Sequence, residues 1–192
     1  MKEGAWVEEI RDRLVRARSG LPKGIEARVG LRLPYGYEAR SYPAEGGPST
    51  GPAGSDISFQ TDLALVEVLE DGSWKPRVII EAKVRSVTTH DAITYSQKAA
   101  AHRSVHPYLR YGIALGIMGA TPLPGRLYRH GQHLDFMYAF RGAQPTPKEW
   151  TRFLKLIRDE VAASRHMEAL LYQVRGKDRQ RHVLLHRKLV LE

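Results

Sequence analysis

The sequence predicts an α/β domain built on a mixed central sheet with helices on both faces, and three observations carry that expectation. Within residues 62–83, two runs rich in Val, Ile and Leu flank Asp71-Gly72, and Asp-Gly between apolar runs is the strongest short signal for a β-hairpin. Both faces of that hairpin are apolar apart from a few charges, as expected of central strands covered on each side. Helical patterns then alternate with strand patterns along the chain, which points to a layered α/β arrangement.

Taken in order, residues 3–18 form the first predicted helix. Trp6, Val7, Ile10, Leu14 and Ala17 share one stripe, and Ser19-Gly20 with Pro22 stops it. Residues 25–33 alternate apolar and polar and read as a strand. From 34 to 55 glycines and prolines accumulate, and a long loop without regular elements is expected. Tyr35, Tyr37, Arg40 and Tyr42 interleave aromatic and basic groups there, a composition suited to bases and phosphates.

After the hairpin, Thr88 or Thr89 starts a helix running to about Val105, with Ile93, Gln97, Ala100, Ala101 and Ser104 as its predicted inner stripe. His102 and His106 are expected at the surface. Residues 111–118 are a short apolar run, read as a buried strand reached by a helical crossover and lying beside the second hairpin strand. A second hairpin is expected from 126–128 and 133–140 around His130-Gly131. Thr146-Pro147-Lys148-Glu149 combines a cap, a first-turn proline and a capping box, so a long helix follows with Trp150, Phe153, Leu154, Ile157 and Val161 inward. Residues 169–191 read as a C-terminal β-hairpin with the basic tip Arg175–Arg181.

The charges of the central hairpin are what give it chemistry. If Asp71 and Gly72 are the turn residues, Asp62 faces Glu81; if Gly72 and Ser73 are, it faces Lys83. In either register Asp62, Glu81 and Lys83 share one face, because strand side chains alternate and opposed positions lie close. Two acids and a lysine meeting on a covered face need compensation. A divalent cation supplies it, and hard carboxylate oxygens in small number suit Mg²⁺, which keeps waters and binds phosphate oxygens.

Asp62 at a strand start, the hairpin, and Glu81-Ala82-Lys83 in the form E-x-K together resemble the PD-(D/E)XK nuclease superfamily, also called restriction endonuclease-like. The family's proline before the acid is Thr61 here. The resemblance covers about the middle third of the chain. It implies a restriction endonuclease-like mixed sheet and a Mg²⁺-dependent endodeoxyribonuclease, with Mn²⁺ able to substitute. Asp62 and Glu81 would ligate the metal, assisted by the carbonyl of Ala82, and Lys83 would orient the attacking water.

In many members of the superfamily a first-helix glutamate completes the metal site. Gly4-Ala5-Trp6-Val7-Glu8 is similar to the G-x-x-x-E beginning of archaeal Holliday-junction resolvases. That makes Glu8 the candidate, with Glu9 and Glu3 as rivals. Gln97 resembles the glutamine that some members, exonucleases, carry on the helix after the lysine, and a site role is weighed for it against that of a buried amide. Restriction-type cutting of duplex DNA is the first expectation, and Holliday-junction resolution or repair incision the second. A non-catalytic DNA-binding module on the same sheet is the alternative from another class. Cutting both strands would call for a homodimer.

Composition agrees with an anionic partner. The 192 residues hold 30 Lys and Arg against 21 Asp and Glu, a net charge of +9. Arginine dominates at 21 to 9, and its planar fork suits phosphate and guanine. The absence of cysteine removes disulfides, thiolate zinc sites and cysteine nucleophiles. With no apolar leader and no membrane-length run, a single cytoplasmic domain with DNA as partner and no membrane association is expected.

Overall fold

A computed structural model describes residues 1–17, 20–36, 39–41, 49–50 and 57–173. Its centre is a five-stranded mixed sheet. The elements are α1 (Glu3–Arg16), β1 (Ile25–Val29), β2 (Arg32–Gly36), β3 (Ala39–Ser41), β4 (Ser49–Thr50), β5 (Ile57–Gln60), β6 (Leu63–Val68), β7 (Trp74–Val84), α2 (Thr89–Val105), β8 (Arg110–Gly116), α3 (Gly125–His130), β9 (Phe136–Ala139) and α4 (Pro147–Tyr172). The main sheet runs β1-β6-β7-β8-β9. β1, β6 and β7 are antiparallel, whereas β7, β8 and β9 are parallel, so α2 is the crossover between two parallel neighbours.

One face of the sheet buries Leu63, Leu65, Val78, Ile80 and Ala82 against Trp6, Ile10 and Leu14 of α1 and Phe153 and Ile157 of α4. On the opposite face Ala64, Val66, Ile79 and Tyr111 meet Ala99 of α2, and Ile113 and Leu115 meet Ala92 and, from α3, Leu127. At the far end of the sheet α4 is fastened by charge. Buried Arg77 pairs with Glu67 and Glu168, and buried Arg110 pairs with Glu160 and Asp135. Each arginine has acidic partners on two sides, which is how a guanidinium tolerates burial.

The hairpin turn is a three-residue loop. Leu69 N–H donates to Ser73, Gly72 N–H donates to Leu69, and Gly72 takes a φ of 81°. That is a type I turn closed by a left-handed residue, for which glycine is suited. Near the loop Val66 pairs with Pro76, but Leu65 pairs with Val78, so Arg77 is an extra residue in β7. This bulge shifts the pairing by one, and continuing Leu63↔Ile80 sets Asp62 opposite Glu81.

Several expectations are corrected. The strand over 25–33 is two strands, broken at Gly30, whose φ is 67°. The loop over 34–55 is not devoid of regular structure: β2 runs into it, and β3 pairs with β4. No hairpin forms at 126–140. Pro124 precedes the short helix α3, and β9 instead joins β8 in parallel. α4 continues to Tyr172, so 169–172 are helical rather than the first strand of a terminal hairpin. The rest of that predicted ribbon, its basic tip included, and most of the 34–55 loop, with Tyr37 and Tyr42, lie outside the described residues. No helix among the described residues is long and apolar enough to cross a membrane.

Candidate active site at the head of the central hairpin

Thr61 fixes the approach to the site. It is fully buried, and both its backbone N–H and its hydroxyl donate to the Leu31 carbonyl at 2.9 Å. A proline here would forfeit the first of these bonds. Asp62 follows, and its Oδ2 accepts from Ala82 N–H at 2.8 Å, which ties the acid to the E-x-K strand across the ladder.

Glu81 is only 1% exposed. Its Oε1 accepts from Lys98 Nζ at 2.8 Å and from the Tyr111 hydroxyl at 2.5 Å. Burial pushes the Glu81 carboxyl up to about 7, the Asp62 charge adds to this, and Lys98 and Tyr111 pull the other way. The Tyr111 phenol is in turn pushed well above its ordinary value by burial and by the Glu81 charge. Among the described residues no hydrogen bond falls on Asp62 Oδ1 or Glu81 Oε2.

Lys83 is partly buried. Its Nζ lies 3.4 Å from Glu3 Oε1, 3.7 Å from Asp91 Oδ1 and 5.7 Å from the Tyr95 ring centroid. Burial alone would lower its pKa, but Tyr95 and the carboxylates of Glu3 and Asp91 overcome it, and the ammonium is held above its usual range. Lys98 Nζ lies 5.5 Å from the same tyrosine ring and is also held by the Gln60 carbonyl at 3.1 Å. Both ammonium groups therefore lie within cation–π range of the Tyr95 ring.

The structure thus brings Asp62, Glu81 and Lys83 to one side of the hairpin. It does not bring Glu8 or Gln97 there. Glu8 is exposed and pairs with Arg11 at 2.5 Å, and Glu9 is turned to Arg16. Glu3, one turn before Trp6 and Val7 on the same stripe, is the first-helix acid that reaches the site. Gln97 is exposed because α2 turns Ala92, Ser96, Ala99 and His102 to the sheet. His102, expected at the surface, is fully buried and meets the Leu33 carbonyl at 3.3 Å.

Tyr95, Lys98 and Tyr111 were not foreseen as site residues. Tyr95 and Lys98 are three apart and Tyr111 has the parity of Ile113, which pairs with Glu81; with the helix phase known, both spacings would have found them.

The strand ends above the site are strained. β7 leads into Arg85 and β8 into Ile117, non-glycine residues with φ of 67° and 60°, and Arg85 N–H donates to the Gly116 carbonyl. A β-branched residue in that region is a genuine outlier.

Two carboxylates with one uncommitted oxygen each fit a hard divalent cation that keeps most of its waters. No third His, Cys, Asp or Glu joins them in a metal-binding group among the described residues. Comparison of the chain with protein-family models and with curated proteins finds no match.

Proposed function

We propose that this protein is a Mg²⁺-dependent nuclease with a restriction endonuclease-like core that hydrolyses phosphodiester bonds in DNA. The observation that carries the reading is Asp62 facing a buried Glu81 whose pKa stands near 7, with Lys83 two residues further along the same strand. The element order of helix, antiparallel hairpin, crossover helix and parallel strand supports it, as does the chain's excess of arginine.

A divalent cation held by Asp62 and Glu81 would polarise the phosphoryl group and offset charge on the leaving oxygen. Lys83 stays protonated, so it donates hydrogen bonds to a water or a phosphate oxygen and does not act as a base. Glu3 and Asp91 hold that ammonium in place. Lys98 and Tyr111 bind Oε1 of Glu81 and fix the direction of the other oxygen.

A second reading has one observation in its favour. The Lys98–Glu81 pair already supplies Glu81 with a cation, as a DNA-binding module without turnover would need. Supercoiled, linear, single-stranded and four-way DNA incubated with Mg²⁺ or Mn²⁺ separates the two. Cleavage that disappears in Asp62→Ala and Lys83→Ala supports the nuclease. Binding without cleavage in any metal supports the module.

A further inference from the structure

The cations of this fold are sorted by place. At the end of the sheet away from the acids, Arg77, Arg103, Arg110 and Arg165 are all tied to carboxylates of Glu67, Glu168, Asp135 or Glu160. Arg126 and Arg129 of α3 are different: both are exposed, and neither has a hydrogen-bond or ionic partner among the described residues. Arg85, directly beyond the E-x-K strand, is likewise exposed and unpaired. Between the two α3 arginines in sequence stands Tyr128, a residue 55% exposed.

α3 buries one residue, Leu127, and that anchor fixes where the others point. Tyr128 and Arg129 follow it at 100° per residue and take the solvent side, with Arg126 one turn before Arg129 on its flank. Leu127 shares its cluster with Val87, just past the E-x-K strand, and with Tyr95, the ring that lies over Lys83 and Lys98. α3 therefore packs beside α2, on the face of the sheet that carries Glu81 and Lys83.

We infer that α3 is a docking surface for an unpaired stretch of nucleic acid next to the scissile phosphate, with Tyr128 stacking on a base and Arg126 and Arg129 holding the backbone. An exposed ring with Arg129 about 100° round the helix from it and Arg126 about 60° further can meet a base face and nearby phosphates at once. A fully paired duplex keeps its base faces stacked on each other, so it offers Tyr128 nothing but its backbone. The preferred ligand is then single-stranded DNA or a duplex bearing a single-stranded arm. This rests on the nuclease reading for its meaning but is tested apart from it.

The test is binding by fluorescence anisotropy in EDTA, where no metal-dependent cleavage intervenes. The probes are a single-stranded oligonucleotide, a blunt duplex and the same duplex with a single-stranded overhang. The wild type is expected to bind the overhang duplex at least about fivefold more tightly than the blunt one, the size of one weak base–aromatic stack. Tyr128→Ala is expected to erase that preference and Tyr128→Phe to keep it. Arg126→Ala with Arg129→Ala should weaken all three probes and lower the salt dependence by about two phosphate contacts. Equal affinity for blunt and overhang duplexes, or an unchanged preference in Tyr128→Ala, overturns the inference. These side chains are exposed, so the variants are expected to fold, which circular dichroism checks. If overhang preference is lost with Tyr128→Ala but no metal yields cleavage, the docking surface stands and the nuclease reading falls. If Asp62-dependent cleavage is present and Tyr128→Ala binds as wild type, the reverse holds.

Discussion

Lys98 Nζ lies 2.8 Å from Glu81 Oε1, so the acid buried at the centre of the sheet has its own cation supplied from the neighbouring helix. Glu81 is 1% exposed and the Lys98 side chain 15%, which places the pair largely out of water. Removing one partner of such a pair strands the other. Glu81 escapes part of that cost by taking a proton, because its pKa already stands near 7. Lys98→Met is therefore expected to destabilise the metal-free protein by roughly 1–3 kcal/mol and to raise the Glu81 pKa further. Adding Glu81→Gln should recover much of the loss, since the stranded charge is then gone. Urea midpoints of the two single variants and the double variant measure the coupling, and strict additivity would show that the contact contributes nothing.

Glu3 rather than Glu8 is the first-helix acid that meets Lys83. In an assay where the wild type cleaves DNA, Glu8→Gln should stay within about twofold, because an exposed pair with Arg11 contributes little. Glu3→Gln should lower kcat by tenfold or more, on the order of the loss expected when a charge that orients a site group is removed. Steady-state cleavage rates of the two variants side by side decide it. Equal losses would place the Glu3–Lys83 contact outside the chemistry.

The difference between what the sequence foretold and what the structure holds follows from which signals are local. Asp71-Gly72 and its apolar flanks specify the hairpin within a few residues, and Thr146-Pro147 with Glu149 marks the start of α4 equally well. The facing of Asp62 and Glu81 emerges from two things, a loop one residue longer than either two-residue turn foretold and a bulge at Arg77 that offsets it. Neither leaves a mark in alternation alone. The phase of α2 is hard to read from the sequence because its inner stripe, Ala92, Ser96, Ala99 and His102, holds small or polar residues, while the bulkiest aliphatic residue, Ile93, faces solvent at 44% exposure. Small residues let α2 lie close to the sheet and let Tyr95 and Lys98 reach over its edge, and nothing in a hydrophobic period encodes that. Residues 126–128 read as a strand and 130–131 as its turn because the six residues of α3 hold too few turns to show a helical period.

Gly116 sets the distance between α1 and the strand that parallels the E-x-K strand. A Cβ there would lie 2.5 Å from Trp6 Cε2, and Trp6 is itself buried against Phe140 in an edge contact. Gly116→Ala should force the indole away and cost about 1–3 kcal/mol by overpacking. Because Glu3 is one turn before Trp6, the same change should loosen its contact with Lys83. A fall in the urea midpoint together with a changed Trp6 fluorescence is the expected result. A stability equal to wild type would mean that α1 shifts without cost.

The last prediction concerns pH, where two buried groups act against each other. Burial pushes Glu81 up from the ordinary 4.5 to about 7, so the folded state holds this proton more tightly than the unfolded chain. Its contribution is complete below about 4.5 and is lost as pH rises to about 7. Burial pushes His102 down from 6.5 to about 4, and its Nδ1 is buried with no hydrogen-bond partner among the described residues, so the folded state resists protonation there. That contribution is complete above 6.5 and is lost as pH falls towards 4. Each is worth on the order of 3 kcal/mol across its window, with opposite slopes between. Glu67, Asp91 and Glu168, all held below their ordinary values chiefly by hydrogen-bond and ionic partners that outweigh burial, lose their contributions only at lower pH. With His106 also lowered by burial and adding to the histidine side, wild-type stability should change less between pH 4.5 and 6.5 than either Glu81 or His102 alone would make it. Glu81→Gln should expose the histidine, giving stability that rises with pH through this range. His102→Gln, whose amide still reaches the Leu33 carbonyl, should expose the glutamate, giving stability that falls. Urea midpoints at four pH values between 4.5 and 7.5 test the pair, and slopes of the same sign in both variants would show that one of the two groups titrates normally in the fold.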